Sequence, residues 1–116
     1  MSLQMDVTYP ASVKRAVERI GETYGPVDVL VNNAGLPSPT PLWDIELEEF
    51  DRIMSVNARG GFVCLKAVLP TMMQRGRGRI VWISSQAGRE GEGTFGTTHY
   101  AASKAAVIGL CQAAAR

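Results

Sequence analysis

Two hydrophobic rhythms alternate along this chain. Val13, Ala16, Val17 and Ile20 recur at steps of three and four, which predicts an amphipathic helix. Pro10 suits its first turn, and glycines at 21 and 25 close it. Residues 6–9 before it read as extended. Residues 27–31 form an apolar run with little alternation, the pattern of a parallel strand covered on both faces. Pro37, Pro39 and Pro41 mark an irregular loop. A helical pattern then covers residues 46–54, with Ile45, Phe50 and Ile53 as apolar anchors. It resumes from Asn57 through Leu69 despite Gly60 and Gly61, with Pro70 inside it. Gly76 and Gly78 bracket a turn before a second strand at 79–83. Residues 88–98 hold four glycines and read as a surface loop. The last helix starts at about Tyr100, with Ala106, Leu110 and Ala114 along one stripe. Strand, helix, strand, helix, strand, helix is the order of a parallel α/β sheet.

Composition narrows the function classes. At 116 residues and 46% hydrophobic, the chain makes one globular domain at most. A net charge of +1 supplies no long-range field for nucleic acid or anionic membranes. There is no apolar run near the length of a membrane span and no signal-peptide pattern, so a soluble, cytoplasmic protein is expected. Cys64 and Cys111 lack metal-ligand spacing and read as small apolar helix residues; no metal site is expected. Trp43 and Trp82 read as packing residues.

The candidate chemistry lies near the end. Tyr100 and Lys104 are four apart, so a helix places them on one face. A positive charge held near a phenol favours phenolate, which suits a tyrosine to exchange a proton with a carbonyl or alcohol. Upstream, the second strand runs into Ser84 and Ser85, and the first runs into Asn32, Asn33, Ala34 and Gly35. Strand alternation points the two serines to opposite faces. The position of residues 32–35 after an apolar strand fits the crevice at strand carboxyl ends where α/β folds bind ligands. His99, a neighbour of Tyr100, points about 100° away around the helix and reads as a rim residue.

Together these residues resemble the short-chain dehydrogenase/reductase family. Residues 32–35 look like its NNAG motif, Ser85 like its active serine, and Tyr100 to Lys104 like its YxxxK motif. Asn57 matches the asparagine that completes the family's tetrad. The resemblance implies a partial Rossmann-like, doubly wound sheet and a catalytic set of Asn57, Ser85, Tyr100 and Lys104. It also implies NAD or NADP as cofactor, held by Asp6, Val7, Asn33, Ala34, Gly35, Tyr100 and Lys104. Ser85 would bond the substrate oxygen, Tyr100 would exchange its proton, and Lys104 would also bond the nicotinamide ribose. Around Asn57, a disturbed helix would expose a carbonyl to a water that relays protons to Lys104. The helices near 58–72 and 100–116 resemble those through which the family forms dimers and tetramers.

Two departures stand out. Ser85 and Tyr100 are further apart than is common in the family, an insertion that a surface loop absorbs. No TGxxxGxG turn precedes Asn32, although the family receives the pyrophosphate there. Residues 1–116 are therefore expected to form one incomplete domain with the end of the family's third strand and its fourth and fifth. Open sheet edges then predict marginal stability or self-association. The expected activity is hydride transfer between a secondary alcohol and a ketone, as in ketoacyl-carrier-protein reductases or sugar and polyol dehydrogenases. The alternative expectation is a non-catalytic remnant with structural or self-association capacity.

Overall fold

The computed structural model describes residues 1–91 and 98–115. Helix α1 spans Pro10–Tyr24 and leads to strand β1, Val29–Asn32. Gly25 ends α1 at φ +84°, a left-handed backbone that favours glycine, and its N–H donates to Gly21 O at 3.0 Å. Helix α2, Leu47–Met54, passes through a wide π turn at Ser55–Arg59 into α3, Gly60–Gln74. Strand β2, Arg79–Trp82, is followed by the short helix α4, Ala87–Glu90, and by α5, Thr98–Ala114.

β1 and β2 pair in parallel, Val29 opposite Arg79 and Asn32 opposite Trp82. Parallel pairing needs a crossover, here α2 and α3. The ladder extends at both ends, through Arg79 N to Asp28 O at 2.9 Å and Ile83 N to Asn32 O at 3.0 Å. Asp28 also pairs with Arg75, whose guanidinium donates to Pro26 O at 3.2 Å, so the end of α3 grips the entry to β1.

The core lies between the helices and one sheet face. It takes Val13 and Ala16 from α1, Ile53 from α2, and Cys64, Leu65, Val68 and Met72 from α3, with Ala87 and Val107. Two close approaches shape it. A Cβ on Gly60 would fall 2.6 Å from Val7 Cγ2, and one on Gly61 would fall 2.5 Å from Trp82 Cζ3. Trp82 is thus a packing residue as expected. Burial pushes the Cys64 thiol pKa up, which suits its inert apolar role. None of the described helices is long and apolar enough to cross a membrane.

Several expectations are corrected. The strands are covered on one face only: Val29 and Val31 are 54% and 53% exposed, Val81 and Ile83 43% and 42%. Among the described residues no helix lies over these four β-branched side chains. Residues 6–9 are a hydrogen-bonded turn rather than extended chain. Asp6 Oδ1 accepts from Thr8 N at 2.8 Å and from Thr8 Oγ1 at 2.7 Å, while Tyr9 N donates to Asp6 O at 3.2 Å. An aspartate that bonds the backbone two residues on favours a turn. Trp43 projects outward at 83% exposure, from a single 3-10 turn beyond the proline loop. The 88–98 loop is helical at its start, in α4, and at Thr98; residues 92–97 of it lie outside the described residues. In α5 the buried stripe is His99, Ser103, Lys104 and Val107, not Ala106, Leu110 and Ala114.

Candidate active site

The start of α5 meets the carboxyl ends of both strands. Lys104 is buried at 5% exposure, with Nζ donating to Ile83 O at 3.0 Å. The ammonium lies 5.8 Å from the centroid of the half-buried Tyr100 ring. The helical spacing therefore puts the pair together. Burial pushes the Lys104 pKa down from its ordinary value, since desolvation disfavours the charged form.

The two serines follow β2 beyond its last strand residue, Trp82, and make different bonds. Ser84 Oγ turns to α5 and donates to Lys104 O at 2.9 Å. Ser85 Oγ accepts from Ala87 N at 3.2 Å, at the start of α4. Its own proton meets no protein acceptor among the described residues. Gly88 lets α4 press on α5: a Cβ there would lie 2.6 Å from Lys104 C and 2.7 Å from Ala105 N.

Asn57 sits in the π turn, 4% exposed. Its Oδ1 accepts from Leu36 N at 2.7 Å, and its Nδ2 donates to Leu36 O at 3.0 Å and Ser103 Oγ at 3.0 Å. Ser103 Oγ in turn donates to Tyr100 O at 2.7 Å. Ser103 thus ties the asparagine to the tyrosine helix, and sequence reasoning missed it. Its signal was the spacing of four between His99, Ser103 and Val107.

Asn33, Ala34 and Gly35 are exposed where β1 ends. A Cβ on Gly35 would lie 3.4 Å from Lys104 Nζ and 3.5 Å from Asn57 Oδ1. The bare Cα leaves room over both polar groups. Asn32 Nδ2 is buried without a hydrogen-bond partner among the described residues. Val7 lines a small cavity with Asn33, Ala34 and Asn57, while the bonds of Asp6 run to Thr8, Tyr9 and Ser12. Val7 packs on Gly60, and the Thr8 hydroxyl and then the Thr8 N–H hold the Asp6 carboxyl below its ordinary pKa.

His99 is the largest departure from expectation. It is fully buried, and its Nε2 lies 3.0 Å from Glu49 Oε1 on α2. Ser38 Oγ donates to the same oxygen, and Thr40 Oγ1 donates to Oε2 at 3.1 Å. Phe50 stacks on the imidazole, with ring centroids 6.5 Å apart. The Ser38 hydroxyl first, then Thr40 and His99, lower the Glu49 pKa from 4.5 to about 2. A carboxyl depressed in the folded chain adds stability that is full above its unfolded pKa and is lost as pH falls through the folded one. The thermal midpoint is expected to drop between pH 4.5 and 2, over the interval of this shift. Glu49→Gln should flatten that drop in a calorimetric pH series.

Comparison with known proteins places the chain. The short chain dehydrogenase family profile matches residues 1–116. This protein belongs to the short-chain dehydrogenase/reductase family. It is 41% identical to a sorbitol dehydrogenase of Cereibacter sphaeroides over 97% of this chain and 44% of that protein. It is 40% identical to the 3-oxoacyl-[acyl-carrier-protein] reductase of Escherichia coli over 98% of this chain and 46% of that protein. A galactitol 2-dehydrogenase of Agrobacterium fabrum is 39% identical over 98% of this chain and 44% of its own. This family member spans under half the length of these curated relatives. The two parallel strands with flanking helices form part of a Rossmann-like fold, as expected.

Proposed function

We propose that this chain carries the acid–base centre of an NAD(P)-dependent oxidoreductase that interconverts a secondary alcohol and a ketone. The observation that carries the reading is the buried Lys104 ammonium beside the Tyr100 ring. Tyr100 gives its hydroxyl proton to the carbonyl oxygen in reduction and takes it back in oxidation. Ser85 donates its uncommitted proton to the same substrate oxygen. Lys104 keeps donors to spare, since an ammonium has three and Ile83 O occupies one. Asn57 and Ser103 hold the Tyr100 backbone against the loop that follows β1.

The residues present fit a nicotinamide dinucleotide. Gly35 leaves a cradle that a Cβ would fill, 3.4 Å from Lys104 Nζ and 3.5 Å from Asn57 Oδ1. Asn33, Ala34 and Gly35, with Tyr100 and Lys104, would hold the ribose beside the nicotinamide; Asp6 and Val7 would meet the adenine end. When bound, this group supplies or accepts the hydride. The names of the relatives point to polyols, sugars or 3-oxoacyl groups as substrates. A cytoplasmic homo-oligomer through the 58–72 and 100–116 helices completes the reading. Leu65 and Val68 are buried within the chain, which leaves exposed Phe62 and Met73 for such contact.

A second reading has its own support. The bare face of Val29, Val31, Val81 and Ile83 favours a chain that is catalytic only when this surface is covered, and otherwise a structural remnant. Fluorescence titration with NADH separates the two. Saturable binding is expected, weakened several-fold in Gly35→Ala, whose methyl would fill the space over Lys104. Gly35 has no positive φ, so alanine fits its backbone and folding should be unchanged. No binding at millimolar NADH would favour the remnant.

A further inference from the structure

The Glu49–His99 contact lies outside the set of residues assigned above, yet it meets the tyrosine helix one residue before Tyr100. Three buried side chains pin the first two turns of α5: His99 to Glu49, Ser103 to Asn57, and Lys104 to Ile83 O. Among the described residues, His99 is the pin that acts on the first turn. Its partner is itself braced. Ser38 and Thr40 both donate to the Glu49 carboxylate, and Thr40 N donates to Ser38 Oγ at 3.2 Å. The brace thus links three segments, namely the proline loop, α2 and α5.

We propose that Glu49 and His99 are positioning residues, which lock the proline loop and α2 to the amino end of α5 and so fix where Tyr100 presents its hydroxyl. The inference rests on the reading of Tyr100 as the proton donor and acceptor. A bland alternative is a satisfied core histidine with no influence on the site. Two observations favour the pin. The fully buried imidazole makes one directed bond, with Nδ1 lacking a partner among the described residues, and Phe50 stacks on the ring at an interplanar angle of 19°. Among the described residues, Glu49 supplies the one hydrogen bond that orients the ring. Because the carboxylate is ionised at neutral pH it only accepts, so His99 Nε2 carries the proton of this bond. Small displacements matter at such a place: about 1 Å of misplacement can cost roughly 100-fold in rate.

The test needs no turnover. This sequence contains a single histidine and three tyrosines, so imidazole nitrogen signals in an NMR spectrum of the labelled chain belong to His99. The Tyr100 ring signals are those lost in Tyr100→Phe. At neutral pH the Nε2 site is expected to be the protonated one. Glu49→Gln is expected to shift or broaden both the His99 and the Tyr100 ring signals while Tyr9 and Tyr24 stay in place. Glu49→Asp, shorter but anionic, should recover part of the shift. Ser38→Ala removes one donor to the carboxylate and should give a smaller displacement of the Tyr100 signals in the same direction. That variant keeps the test open if Glu49→Gln fails to fold. Tyr100 signals that stay fixed while those of His99 move would overturn the proposal, and so would Tyr100 signals identical to wild type in Ser38→Ala. An inactive chain with a responsive Tyr100 would sink the oxidoreductase reading alone, so the two failures are distinguishable.

Discussion

Replacing Tyr100 by phenylalanine is expected to lower alcohol oxidation or ketone reduction by about 10²–10⁴-fold, the usual contribution of a positioned proton donor. The change removes one oxygen and keeps the ring. The ring's contact with Lys104 Nζ, at 5.8 Å from its centroid, therefore survives. So does the Ser103 bond, which goes to the Tyr100 backbone carbonyl. Turnover of the active protein, followed through NAD(P)H absorbance, should collapse while NADH affinity and the unfolding midpoint stay near wild type. A variant that keeps a tenth or more of the activity would remove Tyr100 from the proton-transfer step. The oxidoreductase reading would then need a different acid.

Gly88→Ala should have the largest effect on stability. A methyl there would fall 2.6 Å from Lys104 C, 2.7 Å from Ala105 N and 2.8 Å from Lys104 O. These are backbone atoms inside a helix, which cannot swing aside as a side-chain tip can. Helix α4 would have to lift, which strips the Ser84 bond from Lys104 O and exposes Ala87. Overpacking of this kind costs about 1–3 kcal/mol, more than the gain of up to about 1 kcal/mol that alanine brings to a helix over glycine. The melting midpoint should fall by roughly 5–15 °C. Gly109→Ala is the matched control. It lies in α5 with nothing within 4 Å of a new Cβ, so propensity alone acts and the midpoint should rise. If Gly88→Ala melts with the wild type, the two helices do not approach as closely as described.

Periodicity reveals little about the last helix, for a physical reason. Its alanines and other small residues give the faces little contrast, so Ala106, Leu110 and Ala114 look like a buried stripe. The stripe that is buried holds His99, Ser103 and Lys104, all polar. Each bonds a partner more than twenty positions away: Glu49, Asn57 and Ile83 O. Polar residues become core residues only when such partners are supplied, and a local window does not contain them. Asn57 shows the same limit. Its inward turn depends on the π turn at Ser55–Arg59, where one wider turn changes which side chains face the sheet.

By itself the amino-acid sequence determined the succession from α1 through β1, α2, α3 and β2 to α5, though not the turn at 6–9 or helix α4, because apolar spacing and glycine or proline breaks act over a few residues. It determined the parallel strand pair and the Tyr100–Lys104 contact, since both follow from fixed helix and strand geometry. Tertiary structure alone decided that Lys104 is buried beneath a strand-end carbonyl. It also decided that Gly35 opens space over Lys104 and Asn57, that His99 turns inward to Glu49, and that one sheet face stays bare. These depend on which distant atoms approach one another, and such approaches are set by packing in three dimensions rather than by spacing along the chain.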